Sequence, residues 1–121
     1  MLRFQRFTIG RAWTSDYGSA DTPEGFDYLY AYSPLENIPT DRMLPPTMLL
    51  TADHDDRVVP LHSFKHAAAL QHAQPDNPSP LLLRVDLKAG HGAGKSTQKV
   101  IEEAVSKYGF LSQAMGLEWR E

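Results

Sequence analysis

The most constraining feature of the sequence is a pair of apolar segments separated by a helical segment. Residues Thr47 to Ala52 form a continuous apolar run, which is typical of a strand covered on both faces in a parallel sheet. Leu81 to Leu87 predicts a second strand, nearer an edge because charged residues interrupt it. The Ala- and Leu-rich segment 60–73 predicts a helix between them, and the proline-rich segment 74–80 predicts a loop. This order predicts a β-α-β unit and an α/β fold.

On either side of this unit, the C-terminal region has a clear helical pattern and the N-terminal region does not. Beyond the glycines at 90–94, apolar residues recur at a helical period, at Val100, Ile101, Ala104, Val105, Tyr108, Leu111 and Met115. This pattern predicts a final helix that buries one face against the sheet and ends at Gly116. The first 45 residues are rich in turn formers, and only Phe26 to Tyr32 has helical spacing. We therefore expect mostly loop there, with one helix.

Composition excludes several classes of function. The chain of 121 residues has a net charge of −3 and no cluster of Lys or Arg, which argues against nucleic-acid and anionic-membrane partners. There is no Cys, so neither a disulfide nor a thiolate metal site can form. The first ten residues lack the pattern of a signal peptide, and the sequence contains no apolar span of about 20 residues, so we expect a cytoplasmic protein. The chain opens directly into apolar residues, as an excised piece of a longer protein would.

The residues that indicate chemistry follow the two predicted strands. An acidic cluster, Asp53-His54-Asp55-Asp56, comes after the first strand, and His91 lies between two glycines after the second. Because the carboxyl ends of parallel strands share one edge, an Asp and His91 are expected to meet there. The order Asp, helix, His agrees with the catalytic triad of α/β-hydrolases, in which the carboxylate holds the imidazole in one tautomer. Spacing alone leaves open which Asp is involved, and also leaves open ordinary turn and loop roles.

Two segments, MLLTADHDDRVVPLHS and KAGHGAGK, are very similar to those around the triad Asp and His of prolyl oligopeptidases. The stretch FTIGRAWTSDYG also resembles the part of that family that lines the pocket for the substrate proline, and YSPLENI follows in the expected place. The resemblance covers nearly all of residues 1–121. It implies the C-terminal portion of an α/β-hydrolase catalytic domain, with an incomplete sheet of parallel strands and flanking helices.

The resemblance also implies roles for individual residues. Asp55 corresponds to the triad carboxylate and His91 to the triad base. Four residues correspond to substrate-binding positions: Arg57, which would bind a substrate carbonyl, Trp13, which would stack on the proline ring, and the pocket walls Tyr17 and Val58. Taken alone, the two aromatic residues would more simply pack in a core, and Arg57 would form a surface salt bridge. The implied activity is cleavage of short peptides after proline by a serine peptidase that needs no cofactor.

The nucleophile of such an enzyme is missing, since no Ser of the chain lies in a G-x-S-x-G context. The resemblance implies that the Ser and a β-propeller domain precede Met1. The expected partners are therefore short proline-containing peptides and the missing N-terminal part of the same protein. We expect the isolated chain to be inactive; the alternative is a truncated fragment that acts, at most, in interactions.

Two further interpretations compete for the same residues. The segment Ala89 to Ser96, ending in Gly-Lys-Ser after a strand and before a helix, fits a relaxed phosphate-loop pattern, although too few residues follow it for the core of a nucleoside triphosphatase. The acidic cluster, together with His62 and His66 at i and i+4, contains possible metal ligands. A metalloprotease pair would have Glu after its first His, whereas this chain has Ser63. We therefore predict no metal.

Overall fold

The computed structural model describes residues 1–92 and 94–118. Its elements in chain order are the 3₁₀ helices Phe4–Arg6 and Thr8–Trp13, α1 (Thr14–Tyr17), α2 (Pro23–Tyr32), β1 (Thr47–Ala52), α3 (Leu61–Ala73), β2 (Leu81–Asp86) and α4 (Thr97–Met115). The strands are parallel and in register, with Thr47 beside Leu81 and Ala52 beside Asp86. Helix α3 packs against both strands. The predicted β-α-β unit is confirmed.

The strand β2 ends at Asp86, one residue earlier than predicted. The chain turns there because Lys88 adopts a left-handed conformation, with φ of 54°. The N–H of His54 then bonds the carbonyl of Ala89 at 3.0 Å, so that pairing continues between the two loops after the strands. Both loops are consequently held at the same edge of the sheet.

The predicted burial of β1 on both faces is wrong. Leu50 is 38% exposed, and Ala52 is the only residue of the strand that is buried. The reason is that the sheet has two strands and α3 covers one of its faces. Within residues 1–92 and 94–118, no other helix packs closely on both strands to cover the opposite face.

The expectation that α4 buries its apolar stripe is also wrong, since the helix has no buried residue and Val105 and Met115 are both 66% exposed. A different face of α4 meets β2, and it does so through polar side chains. Arg84 of β2 donates to the hydroxyl of Ser106 at 3.0 Å, and Lys99 lies 3.6 Å from the carboxylate of Asp86. The C-terminal end of the helix is as predicted, with Gly116 in the left-handed conformation that ends helices.

The first 45 residues contain more helix than predicted. Helix α2 begins at Pro23, three residues before the predicted segment, because the Thr22 hydroxyl caps it by accepting from the N–H of Gly25 at 3.1 Å. Leu29 of this helix is completely buried. Short 3₁₀ helices form around Gly10, where an added Cβ would lie 2.0 Å from the Phe4 carbonyl oxygen. Such close backbone packing has no periodic signature, which explains why the sequence pattern predicted loop.

None of the helices in the described part of the chain combines the length and apolar character needed to cross a membrane.

Candidate active site

The loop after β1 is organised by the carboxylate of Asp55. Its Oδ1 accepts hydrogen bonds from the backbone N–H groups of Arg57, at 3.0 Å, and Val58, at 2.8 Å. This arrangement closes a tight turn in which one carboxylate oxygen satisfies two backbone donors. The other oxygen, Oδ2, is left to face the neighbouring loop.

The loop after β2 carries His91 and is fixed to the first loop by the Asp53 carboxylate. Asp53 Oδ1 accepts from the N–H of Ala89 at 3.2 Å. Together with the bond from His54 to the Ala89 carbonyl, this contact holds the start of the His91 loop against the end of β1. The imidazole is thereby brought over the turn formed by Asp55.

The Asp55 carboxylate and the His91 imidazole are in direct contact. Nδ1 of His91 lies 2.8 Å from Oδ2 and 3.0 Å from Oδ1 of Asp55. The Asp55 side chain is 11% exposed and the His91 ring is 44% exposed. Burial opposes ionisation of Asp55, but the N–H groups of Val58 and Arg57 and the His91 ring outweigh it, so the pKa of Asp55 lies below its ordinary value. An ionised carboxylate at Nδ1 leaves Nε2 of His91 as the free acceptor for a proton.

The geometry distinguishes between the acids that sequence spacing left open. Asp53 lies 2.7 Å from Nδ1 of His54, and this hydrogen bond lowers the pKa of Asp53. Asp56 is exposed to solvent. Of the three acids in the cluster, Asp55 is the one whose carboxylate contacts His91.

The four residues with predicted substrate-binding roles lie together. Trp13, Tyr17, Arg57 and Val58 all line one cleft of about 920 Å³, between the N-terminal 3₁₀ helices, the Asp55 loop and α3. The Tyr17 ring packs edge-on against the Phe4 ring, with centroids 5.9 Å apart. Asp55 and His91 line a second, smaller cleft of about 200 Å³. The turn 55–58 therefore borders both clefts.

A hydrogen bond that no sequence pattern predicts joins the N-terminal segment to this turn. The Thr8 hydroxyl donates to the carbonyl oxygen of Arg57 at 2.6 Å, across 49 residues of sequence. Thr8 itself has a positive φ of 45°, a strained value for a β-branched residue. The position of the Arg57 backbone is thus coupled to the segment that carries Trp13.

The competing interpretations find little support in this geometry. In the described part of the chain, no three His, Asp or Glu side chains converge as metal ligands. His62 packs edge-on against Phe7 with centroids 5.4 Å apart, and its pKa is lowered, mainly by burial. Lys95, which would bind phosphate in a nucleotide site, is paired with the carboxylates of Asp86 and Glu103. The cation needed by the phosphate-loop interpretation is therefore already engaged.

Comparison with known proteins decides the family. The model of the prolyl oligopeptidase family matches residues 1–118. This chain belongs to the prolyl oligopeptidase family. Prolyl oligopeptidase A of Amanita bisporigera is 64% identical over 121 residues, and the dual function macrocyclase-peptidase of the same fungus is 51% identical over 121 residues. The match covers 100% of this chain but 16% of the first relative, and 99% of this chain but 17% of the second.

Solved structures of this family confirm the predicted fold class. A Ser-to-Ala variant of prolyl oligopeptidase B from Galerina marginata, bound to a 35mer hydrolysis and macrocyclization substrate, matches with a TM-score of 0.93 at 48% identity. The match covers 100% of this chain and 17% of that chain. Asp-to-Ala and His-to-Ala variants of the same enzyme also match. In that enzyme the substituted Ser precedes the substituted Asp and the substituted His in the sequence. The separation between that Asp and that His is one residue longer than the separation between Asp55 and His91 in this chain.

Proposed function

We propose that this chain is the acid- and base-bearing part of a serine peptidase that cleaves short peptides on the carboxyl side of proline. Asp55 is the triad carboxylate and His91 is the general base, while the nucleophilic Ser comes from a segment outside these 121 residues. The observation that carries the proposal is the contact of 2.8 Å between Asp55 Oδ2 and His91 Nδ1. The matching order and similar spacing of the substituted Asp and His in the Galerina marginata enzyme, where the substituted Ser precedes both, support it.

The proposed chemistry follows from the orientation of the imidazole. With Nδ1–H donating to Asp55, Nε2 accepts the proton of the Ser hydroxyl as its oxygen attacks the carbonyl carbon of the substrate proline. The same proton passes to the departing amine, and an acyl-enzyme remains. Water then attacks that ester, with His91 again taking and returning the proton. Asp55 stays ionised throughout, and its low pKa is suited to that role.

The proposed recognition of proline uses the cleft of about 920 Å³. Proline offers a compact apolar ring and no N–H group, so aromatic surface and shape are better suited to select it than hydrogen bonds. The half-buried Trp13 is suited to stack on the ring, with Tyr17 and Val58 as walls. The exposed guanidinium of Arg57, two residues after Asp55, would bind a carbonyl oxygen of the peptide.

Hydrolysis is proposed in preference to macrocyclization. Both outcomes share the acyl-enzyme, which is attacked by water in one case and by the amino terminus of the same peptide in the other. The chain is 64% identical to prolyl oligopeptidase A of Amanita bisporigera and 51% identical to the dual function macrocyclase-peptidase of that fungus. The greater similarity to the enzyme named without macrocyclase activity favours hydrolysis. We further propose a cytoplasmic location, without membrane or nucleic-acid partners.

A chimera tests this function. In it, the present chain replaces the matching 121 residues of prolyl oligopeptidase A of Amanita bisporigera, so that the relative supplies the rest of the protein. We expect the chimera to cleave a chromogenic peptide with proline before the scissile bond far faster than the matched peptide with alanine there. The isolated chain should cleave neither. A folded chimera without turnover, or one without preference for proline, contradicts the proposal.

A further inference from the structure

The segment 87–96 connects β2 to α4 and carries His91, so the position of the imidazole depends on how its two ends are held. The imidazole is 44% exposed, and its side-chain partner is Asp55. The first end follows Asp86, whose side chain is only 8% exposed. The second end is Ser96, which caps α4. A contact that joins these ends would restrict the loop between them.

Lys95 makes that contact. Its Nζ lies 3.1 Å from Oδ2 of Asp86, at the end of β2, and 2.5 Å from Oε2 of Glu103, on α4. The Lys95 side chain is 16% exposed and that of Glu103 is 21% exposed, so solvent screens these pairs less than it screens surface pairs. Oδ2 of Asp86 has no hydrogen-bond partner of good geometry in the described residues. The charge of Lys95 is therefore what balances this buried oxygen.

Lys99 reinforces the same end of the loop. Its Nζ donates to the carbonyl oxygens of Leu87 and of Lys88, the latter at 3.1 Å, and lies 3.6 Å from Oδ1 of Asp86. Lys88 is the residue with the left-handed backbone conformation. Two lysines thus converge on the point where β2 ends and the His91 loop begins, and Lys95 extends the contact to the point where α4 begins.

We propose that Lys95 is a positioning residue for His91: by pairing with Asp86 and Glu103 it ties together both ends of the loop that presents the imidazole to Asp55. The inference rests on the function proposed above and adds to it a residue that lines the smaller cleft beside Asp55 and His91. Lys95 acts through the loop and touches neither substrate nor the reacting atoms. Loss of its charge removes the link between Asp86 and Glu103 and leaves Asp86 with the more distant charge of Lys99. The two ends of the loop are then no longer tied together, so His91 spends less time in the reactive position.

The chain offers a matched control. Lys107 also pairs with Glu103, four residues away on the same helix, but its side chain is 46% exposed and it does not bridge to β2. Substitution of Lys107 removes one positive charge from beside Glu103, as substitution of Lys95 does. It leaves the connection between β2 and α4 in place.

The test compares Lys95→Met, Lys95→Arg and Lys107→Met in the chimera. For Lys95→Met we expect kcat to fall by about tenfold with KM within about twofold, since a small misplacement of a catalytic group lowers the rate of the chemical step. Lys95→Arg should recover most of kcat, and Lys107→Met should leave kcat unchanged. If Lys95→Met damaged the fold as a whole, the fraction of active protein and the melting temperature would fall, whereas kcat per active site would not. Active-site titration measures the active fraction.

Several outcomes overturn the inference. It fails if Lys95→Met keeps kcat within twofold while His91→Ala abolishes turnover in the same chimera. It also fails if Lys107→Met lowers kcat as much as Lys95→Met does. If Lys95→Met does not fold, Glu103→Gln is measured in its place, and an unchanged kcat in that variant overturns the inference. Equal rates for the chimera and its His91→Ala variant would instead remove the proposed function, and the inference with it.

Discussion

Replacement of Asp55 separates its structural role from its proposed catalytic role. Oδ1 of Asp55 accepts both backbone N–H groups of the turn, whereas Oδ2 makes the shorter contact with His91. In Asp55→Asn, the amide oxygen can take the place of Oδ1 and keep the turn closed. The amide NH₂ group then faces Nδ1 of His91 and can only donate, so the imidazole must adopt the tautomer with its proton on Nε2. That tautomer cannot accept a proton from Ser.

The magnitudes expected for two variants differ accordingly. Asp55→Asn should lower kcat by about 10⁴-fold, the size of effect that a wrong tautomer has in serine peptidases. It should destabilise the turn by less than about 1 kcal/mol, because two neutral hydrogen bonds replace two charged ones. Asp55→Ala leaves the two backbone N–H groups of the turn without their acceptor. It should destabilise the closed turn by about 2 kcal/mol, because water replaces part of the lost hydrogen bonding. That cost corresponds to a roughly 30-fold larger equilibrium constant for local opening.

The assay is turnover of the proline peptide by the chimera, combined with amide hydrogen exchange in the segment 55–59. We expect Asp55→Asn to lose turnover with nearly normal exchange, and Asp55→Ala to lose turnover with exchange accelerated by about 30-fold. Retention of turnover within tenfold in Asp55→Asn would refute the proposed role of the carboxylate. Identical exchange in the two variants would refute its role in closing the turn.

Three further predictions concern other parts of the chain. Gly10→Ala should destabilise the N-terminal segment by about 2 kcal/mol or more, because the new Cβ meets the Phe4 carbonyl oxygen at 2.0 Å, and thermal unfolding of the chimera measures this. Trp13→Ala should raise KM for the proline peptide by about tenfold, whereas Trp13→Phe should change it less, in steady-state kinetics. Hydrogen bonds from Lys107 and Lys95 lower the pKa of Glu103 to about 2, so the stabilising effect of its carboxylate is present above its unfolded pKa of about 4.5 and is lost as pH falls towards 2. Glu103→Gln should therefore reduce the loss of unfolding free energy between these pH values, as measured in unfolding experiments. An unchanged pH dependence would count against the ion pairs.

The central β-α-β unit was predictable because burial and periodicity act locally. A short apolar run predicts β1 and an Ala-rich segment predicts α3, and both begin and end where the sequence indicates. The face of α4 was not predictable in the same way. Its apolar stripe has the stronger periodic signal, but the charges of Lys99 and Glu103 lie on the face that meets β2. Periodicity shows that a helix is amphipathic and does not show which neighbour is present to cover it.

Much of the candidate site could also be predicted, although the supporting contacts could not. The meeting of an Asp and His91 follows from parallel strands that end at one edge. Residue spacing does not distinguish Asp55 from the other two acids, whereas the family resemblance and the contact with His91 both do. Thr8 contacts Arg57 across 49 residues, and no local pattern indicates such a bond. Lys95 did stand out in the sequence, as the lysine of a possible phosphate loop. Its actual partners are two carboxylates, which only the tertiary structure could reveal.

The proposed function depends most directly on His91 as the base. Among the residues that the structure describes, two histidines contact a carboxylate, His91 with Asp55 and His54 with Asp53, and they provide a matched pair for one measurement. The measurement is the turnover number of the chimera on the proline peptide for His91→Ala and His54→Ala. We expect the first to fall by at least about 10³-fold and the second to stay within a few-fold of the unsubstituted chimera. Equal turnover in the two variants, or a larger loss from His54→Ala, would contradict the account.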